Sequence, residues 1–324
     1  MNGPSRRATI AGLMTASVAG PARAADWPDK AIAMIVPYPA GGGSDTFARP
    51  VAAALANRFK QSIVIDNKSG AGGTVGTAVA ARAPADGYTL LLGDTGLTYA
   101  PDIYPQAGFD FGRDFAPISA VARVPYVLAV NPAKLDVATL AAFFEAAKKT
   151  PGSIDIGSSG LGSVTHLAIA LFEKRTATKL NHVPYRGGAP MLQDLLAGQV
   201  AAAFVVPGAV APYVKAGKLR ALAVANRRRE PLLPDVPTMD EAGLPDFRAV
   251  IWFGLFAPKK TPDAILDRLH AATQAALKET KINAMWAEQG ARVEPESRAD
   301  FARFVAADGE RWSRIAKAAN IKME

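Results

Sequence analysis

The chain has 324 residues, of which 49% are hydrophobic and 20% charged, and a formal net charge of +8. That length holds two domains or one large one with ample core, and the balance is that of an ordered globular protein rather than a disordered one. No cysteine occurs, which excludes disulfides and thiolate chemistry.

The first 24 residues read as an export signal. Arg6 and Arg7 form a basic start, residues 8–22 carry no charge, and Ala22-Arg23-Ala24 offers a small-x-small cleavage pattern. The charge-free run is too short to span a bilayer, which takes about 20 apolar residues. "SRRATIAG" also hints at the twin-arginine variant. Removal of residues 1–24 subtracts Arg6, Arg7 and Arg23 and no acid, so the charge falls from +8 to +5. The expected location is the periplasm.

Past the signal, short apolar runs alternate with helix-patterned runs, as in α/β proteins with mainly parallel sheets. Strands are predicted at "AIAMIV", "SIVID" and "YTLLLG". Between the first two, Phe47, Val51, Leu55 and Phe59 recur every four residues, as one helix face requires. Pro50 falls inside that helix, which predicts a kink or a late start. "ISAVARVPYVLAV" then gives two strand-like runs with no helix between them. Alternation resumes through "VATLAAFFEAAKK", "SIDIG", "SVTHLAIALFEK", "NHVPY", "PMLQDLLAG", "VAAAFVV" and "LRALAV". After "EPLLPDVP" comes one more strand, "AVIWFGLFAP", and the rest is largely helical.

Leu195 to Val214 is a stretch without a charge, but Gly198, Gln199, Pro207 and Pro212 punctuate it. It reads as helix end, buried strand, turn and short helix, so no membrane insertion is expected. Arg227-Arg228-Arg229 reads as a solvated rim without interleaved aromatics, and no nucleic-acid partner is expected. The three histidines, His166, His182 and His270, show no metal-ligand spacing, although His166 and His182 could meet in space. No metal and no cofactor are expected.

Two Gly/Ser-rich turns stand in matching positions, one in each half. "VPYPAGGGSD" joins the first strand to the first helix, and "GSSGLGSVTH" joins a later strand to its helix. The first N–H groups of a helix lack intrahelical partners and sit at the positive end of its dipole. Glycine lets a ligand approach that backbone, and Ser or Thr hydroxyls add donors, so such a turn holds an anion without Lys or Arg. Ser44 or Asp45, and Ser163 or Thr165, can equally cap their helices. Gly70, Gly72 and Gly76, with Asp94 beyond, look like a dinucleotide fingerprint, but they follow the second strand rather than the first. Around Ser159, Leu161 stands where a nucleophile elbow needs glycine. A catalytic constellation is missing, so the expected act is to hold rather than to transform.

The residues resemble the substrate-binding receptors of tripartite tricarboxylate transporters, the Bug receptors, from Trp27 to about Lys322. The matching stretches are "VPYPAGGGSD", "GAGGTVG", "ADGYTLLLG", "HVPYRGGAPMLQDLLAGQV", "AGKLRALAV", "LPDVPTMDEAGLP" and "WFGLFAP". The resemblance implies a periplasmic-binding-protein fold of the two-crossover (type II) kind, with two α/β lobes around a ligand cleft. Lobe one would be 25–126 plus 252–324, and lobe two 127–251. It further implies a monomeric receptor that passes a mono-, di- or tricarboxylate, aromatic acids included, to membrane transporter subunits. The resemblance carries ligand contacts onto Tyr38, Ala40, Gly41, Gly42 and Ser44 in lobe one. It carries a carboxylate contact onto Ser158, Ser159, Gly162 and Ser163 in lobe two, with Thr95, Tyr185 and Val206 lining the cleft. Val205 and Val206 stand where many relatives have an Asp, and Leu161 and Val164 stand at loop positions often polar in relatives. These departures favour a plainer or more apolar acid. An exported enzyme acting on a carboxylate, and a binding protein feeding a sensor, are the alternative functions.

Overall fold

The computed structural model describes residues 27–293 and 295–323; the export-signal expectation for residues 1–24 lies outside them. Among the described residues, ten strands form two five-stranded sheets. The first sheet contains β1 (Ile32–Val36), β2 (Ile63–Asn67), β3 (Thr89–Asp94), β4 (Phe115–Pro125) and β10 (Val250–Pro258), in the order β2-β1-β3-β10-β4. The second contains β5 (Val127–Val130), β6 (Asp155–Ser158), β7 (Asn181–Pro184), β8 (Ala202–Val205) and β9 (Arg220–Val224), in the order β7-β6-β8-β5-β9.

Each sheet has the same plan. β1 pairs in parallel with β2 and β3, and β6 pairs in parallel with β7 and β8. The remaining pairings are antiparallel: β10 lies between β3 and β4, and β5 between β8 and β9. The sheets are therefore more mixed than helix–strand alternation predicts. The reason is that the two strands arriving from the opposite sheet insert against the direction of their neighbours. The chain passes from first sheet to second at Tyr126 and returns at Ala249, just ahead of β10.

The connecting helices carry apolar faces onto the sheets. α1 (Gly43–Phe59) buries Phe47, Val51 and Leu55, and runs on through Pro50. Its start at Gly43 is early rather than late, so the proline costs a hydrogen bond without delaying the helix. α2 (Thr74–Ala81), α3 (Thr95–Ile103) and α4 (Phe111–Asp114) complete the first half. α5 (Leu140–Lys149), α6 (Val164–Thr176), α7 (Gly188–Leu196) and α8 (Pro207–Lys215) surround the second sheet. Leu195 to Val214 resolves into the end of α7, β8 and α8, and no helix among the described residues is long and apolar enough to cross a membrane.

α9 (Asp263–Leu277), α10 (Thr280–Glu288) and α11 (Arg298–Ala318) close the chain. α11 serves both halves. Phe301 and Val305 join the core around Leu91 and Trp252 beside the first sheet, whereas Trp312 and Ala316 join the core around Phe143, Phe172 and Phe204.

Candidate ligand site

Between β1 and α1 the backbone turns through Gly41 at φ 78, a left-handed conformation that side chains resist. Gly42 is the N-cap of α1 and provides no side-chain acceptor for the helix's first N–H groups. Neither Ser44 nor Asp45 caps the helix. Instead Asp45 braces the turn from behind: one carboxylate oxygen accepts from Gly41 N–H (2.8 Å) and Arg49 Nε (2.6 Å), the other from Asn67 Nδ2 (3.2 Å). Burial pushes this carboxyl upward, but the Arg49, Gly41 and Asn67 donors outweigh it and hold the group below its ordinary value. Asn67 Nδ2 also donates to the Tyr38 carbonyl at 3.1 Å, so the whole strand exit is pinned.

The turn after β6 is built from hydroxyls. Ser163 caps α6, its Oγ accepting from His166 N–H at 3.2 Å and donating to the Gly160 carbonyl at 2.7 Å. Thr165 Oγ1 accepts from Ser159 N–H at 2.9 Å and lies 3.0 Å from Ser159 Oγ and 2.9 Å from Ser163 Oγ. Behind this cluster, His166 and His182 do meet, stacked with ring centroids 4.0 Å apart. His166 Nδ1 accepts from Gly162 N–H at 3.1 Å, which requires an unprotonated nitrogen there. Burial, then the His182 ring, push His166 down to about 4, and burial lowers His182 as well. The pair serves as a neutral buttress for the loop; among the described residues no cluster of three or more ligating side chains can hold a metal.

These turns face one cleft of about 850 Å³ between the sheets, within the size range of small-molecule sites. Tyr38, Ala40, Gly41, Gly42 and Ser44 line it from one side, and Ser159, Gly162, Ser163 and Val206 from the other. Thr95, Ser158 and Tyr185 do not line it. Thr95 is fully buried, its Oγ1 accepting from Trp252 N–H at 2.9 Å. Ser158 is also fully buried, 2.6 Å from His182 Nε2, and Tyr185 donates to Asp194 at 2.9 Å. All three support the wall from behind.

Sequence reasoning missed Arg186, which also lines the cleft and makes no ion pair among the described residues. It follows β7 and precedes Gly187 and Gly188, where α7 begins with no side-chain cap. "YRGGAP" is thus a third strand–glycine–helix junction, and that recurrence was the available signal. Asp94 and Arg186 are the only charged residues among those described in the lining. Asp94 is the N-cap of α3, accepting from Gly96 N–H (2.8 Å) and Leu97 N–H (3.3 Å). Burial lifts its carboxyl to about 6 against the lowering effect of these bonds and of Tyr38. The glycines at 70, 72 and 76 hold no nucleotide-type strand turn: Gly70, Gly72 and Gly73 take positive φ around a short 3-10 turn ahead of α2.

The two halves touch on both flanks of the cleft. Tyr99 in α3 donates to the Gly162 carbonyl at 3.2 Å. On the other flank Gly208 lies so close to the backbone at the end of α10 that a Cβ would fall 2.6 Å from the Glu288 carbonyl oxygen.

Two α/β units, two crossings and a shared cleft at which helix starts from both sheets converge define a two-lobed periplasmic-binding-protein fold of type II. A family model described as the tripartite tricarboxylate transporter family receptor matches residues 47–321. Protein BugT of Bordetella pertussis is 37% identical over 314 residues, covering 96% of this chain and 96% of that protein. Among solved structures, R. palustris Rpa4515 with adipate has a TM-score of 0.81 at 37% identity, covering 92% of this chain and 99% of that one. MatC from Rhodopseudomonas palustris with bound malate has a TM-score of 0.77 at 32% identity, covering 89% and 99%. The chain belongs to the tripartite tricarboxylate transporter receptor family.

Proposed function

We propose that this receptor captures a small organic carboxylate between its two lobes, 25–126 plus 252–324 and 127–251, and presents the closed form to the membrane subunits of its transporter. The observation that carries this reading is the convergence of uncapped helix starts from opposite sheets, at Gly42 and Gly187, with Arg186 and the Ser159–Thr165 hydroxyls on one cleft. A carboxylate leaving water needs hydrogen bonds to both oxygens. Micromolar affinity corresponds to about −8 kcal/mol, whereas one helix terminus supplies on the order of 0.3–2 kcal/mol of dipole stabilisation. One wall is therefore not enough, and binding to both favours the closed over the open state. Adipate and malate in the two relatives' structures support an acid as the ligand class.

The receptor acts by holding, without turnover, in the periplasm after loss of residues 1–24. One oxygen of the Asp94 carboxyl caps α3, and Ser158, fully buried, faces the half-buried His182 rather than the cleft. Among the described lining residues no second carboxylate and no histidine joins Asp94 to form an acid–base pair around a bound acid.

Mass spectrometry of the small molecules released when the purified receptor is denatured tests this directly. An organic acid in stoichiometric amount is expected. Release of a non-acidic solute, or a released acid that does not raise the melting temperature on re-addition, defeats the reading; saturation at a hundredfold over Kd adds about 2.7 kcal/mol.

A further inference from the structure

Tyr126 occupies a position that neither wall of the cleft explains. It is the single residue between β4 in the first sheet and β5 in the second. Its backbone joins the two crossings, since its N–H donates to the Ala249 carbonyl at 2.8 Å and its carbonyl accepts from Ala225 N–H at 2.8 Å. The side chain lines the cleft and is only 7% exposed. Its hydroxyl has no hydrogen-bond partner among the described residues. Tyr38 and Tyr99, by contrast, already donate to the carbonyls of Gly72 and Gly162.

The hydroxyl oxygen opens on the cleft rather than being sealed in the core, and the space it faces is the one a ligand fills. We propose that the Tyr126 hydroxyl donates a hydrogen bond to an acceptor oxygen of the bound acid, making the crossover itself a third point of ligand contact. The inference rests on the carboxylate reading above. Burial and the neighbouring Asp94 carboxyl keep the phenol protonated, so it is a donor at every physiological pH. A contact on α1 or α6 belongs to one sheet, whereas Tyr126 belongs to the joint between them. A ligand bound there is attached to a residue that joins the two sheets.

The test is calorimetric titration of malate, adipate, hexanoate and benzoate into the wild-type receptor and Tyr126→Phe. Any acid released by the denatured receptor joins the series, and the tightest wild-type binder is the reference. The substitution is expected to weaken that acid about ten- to hundredfold, the range for a hydrogen bond to a charged group. The ligand-free melting temperature is expected to stay put, because no bond within the protein is lost. Unchanged affinity overturns the proposal, as does a loss matched by an equal fall in ligand-free stability, which would assign Tyr126 to packing. A crystal of the wild-type complex gives an independent answer: a ligand oxygen about 3 Å from the hydroxyl supports the contact, and a water in its place overturns it. Absence of binding by every acid, with none released on denaturation, overturns the carboxylate reading instead.

Discussion

Asp94 and His166 titrate in the same range with opposite signs. Asp94 is lifted by burial from 3.8 to about 6, so between these values the folded chain keeps a proton the unfolded chain has lost. Its contribution to stability, on the order of 3 kcal/mol, is full below about pH 4, drains away as pH rises from there, and is gone above about 6. His166 is pushed from 6.5 down to about 4, so its contribution is full above the upper value and lost as pH falls through the lower. Asp94→Asn keeps an acceptor at the α3 N-cap. It is expected to be about 1–3 kcal/mol more stable than wild type at pH 7.5 and no more stable near pH 4, measured by urea unfolding. With the aspartate silenced, the histidine slope stands alone and acid destabilisation steepens. Arg186→Gln removes the unpaired cation of the cleft. About a tenfold loss of affinity is expected, together with a flatter dependence on salt; equal salt slopes for both proteins would remove Arg186 from the site.

At the scale of elements, α1 and α6 bring helix starts to the cleft on different terms. Ser163 caps α6, so Ser163→Ala is expected to lose about 1 kcal/mol of stability as well as affinity. Gly42 contributes no side-chain cap to α1, and a Cβ there would lie 3.2 Å from the Pro39 carbonyl oxygen, so a substitution crowds the turn itself. Most elements were legible in the sequence because strand runs such as "AIAMIV" and "YTLLLG" are bounded by turn residues and separated by a four-residue apolar period. Much of the site was legible for a similar reason: a strand, a glycine-rich turn and a helix form a local pattern. What stayed hidden depends on direction rather than pattern. Ser158 and Ser159 are adjacent, yet strand alternation sends the first toward His182 and leaves the second at the cleft. Thr95 was placed in the lining by family likeness, but its hydroxyl turns back to β10. Arg186 lies inside "YRGGAP", but an arginine beside a turn is as often solvated as aimed at a ligand, so its type alone does not place it in the lining.

At the scale of the molecule, closure has its own structural requirement, apart from the ligand contacts. Gly208 meets the Glu288 carbonyl and Gln289 backbone across the flank of the cleft, and Gly290 packs on Pro207. Gly208→Val puts carbon where backbone already lies, without touching either cradle. The variant is expected to fold normally, to bind at least tenfold more weakly, and to keep the larger radius of gyration of an open form when ligand is added. A variant that compacts on ligand addition like wild type would show that this flank does not govern closure.

The placement of β10 has a consequence for how the chain is made. Val250–Pro258 lies between β3 and β4, so the first sheet lacks an interior strand until residue 258 has emerged. Structure that depends on partners this distant in sequence forms slowly. During synthesis the first 249 residues therefore emerge as a chain whose opening sheet cannot be completed. That leaves an interval in which the two edges that β10 will join, on β3 and β4, stand open to pairing with strands other than the native one.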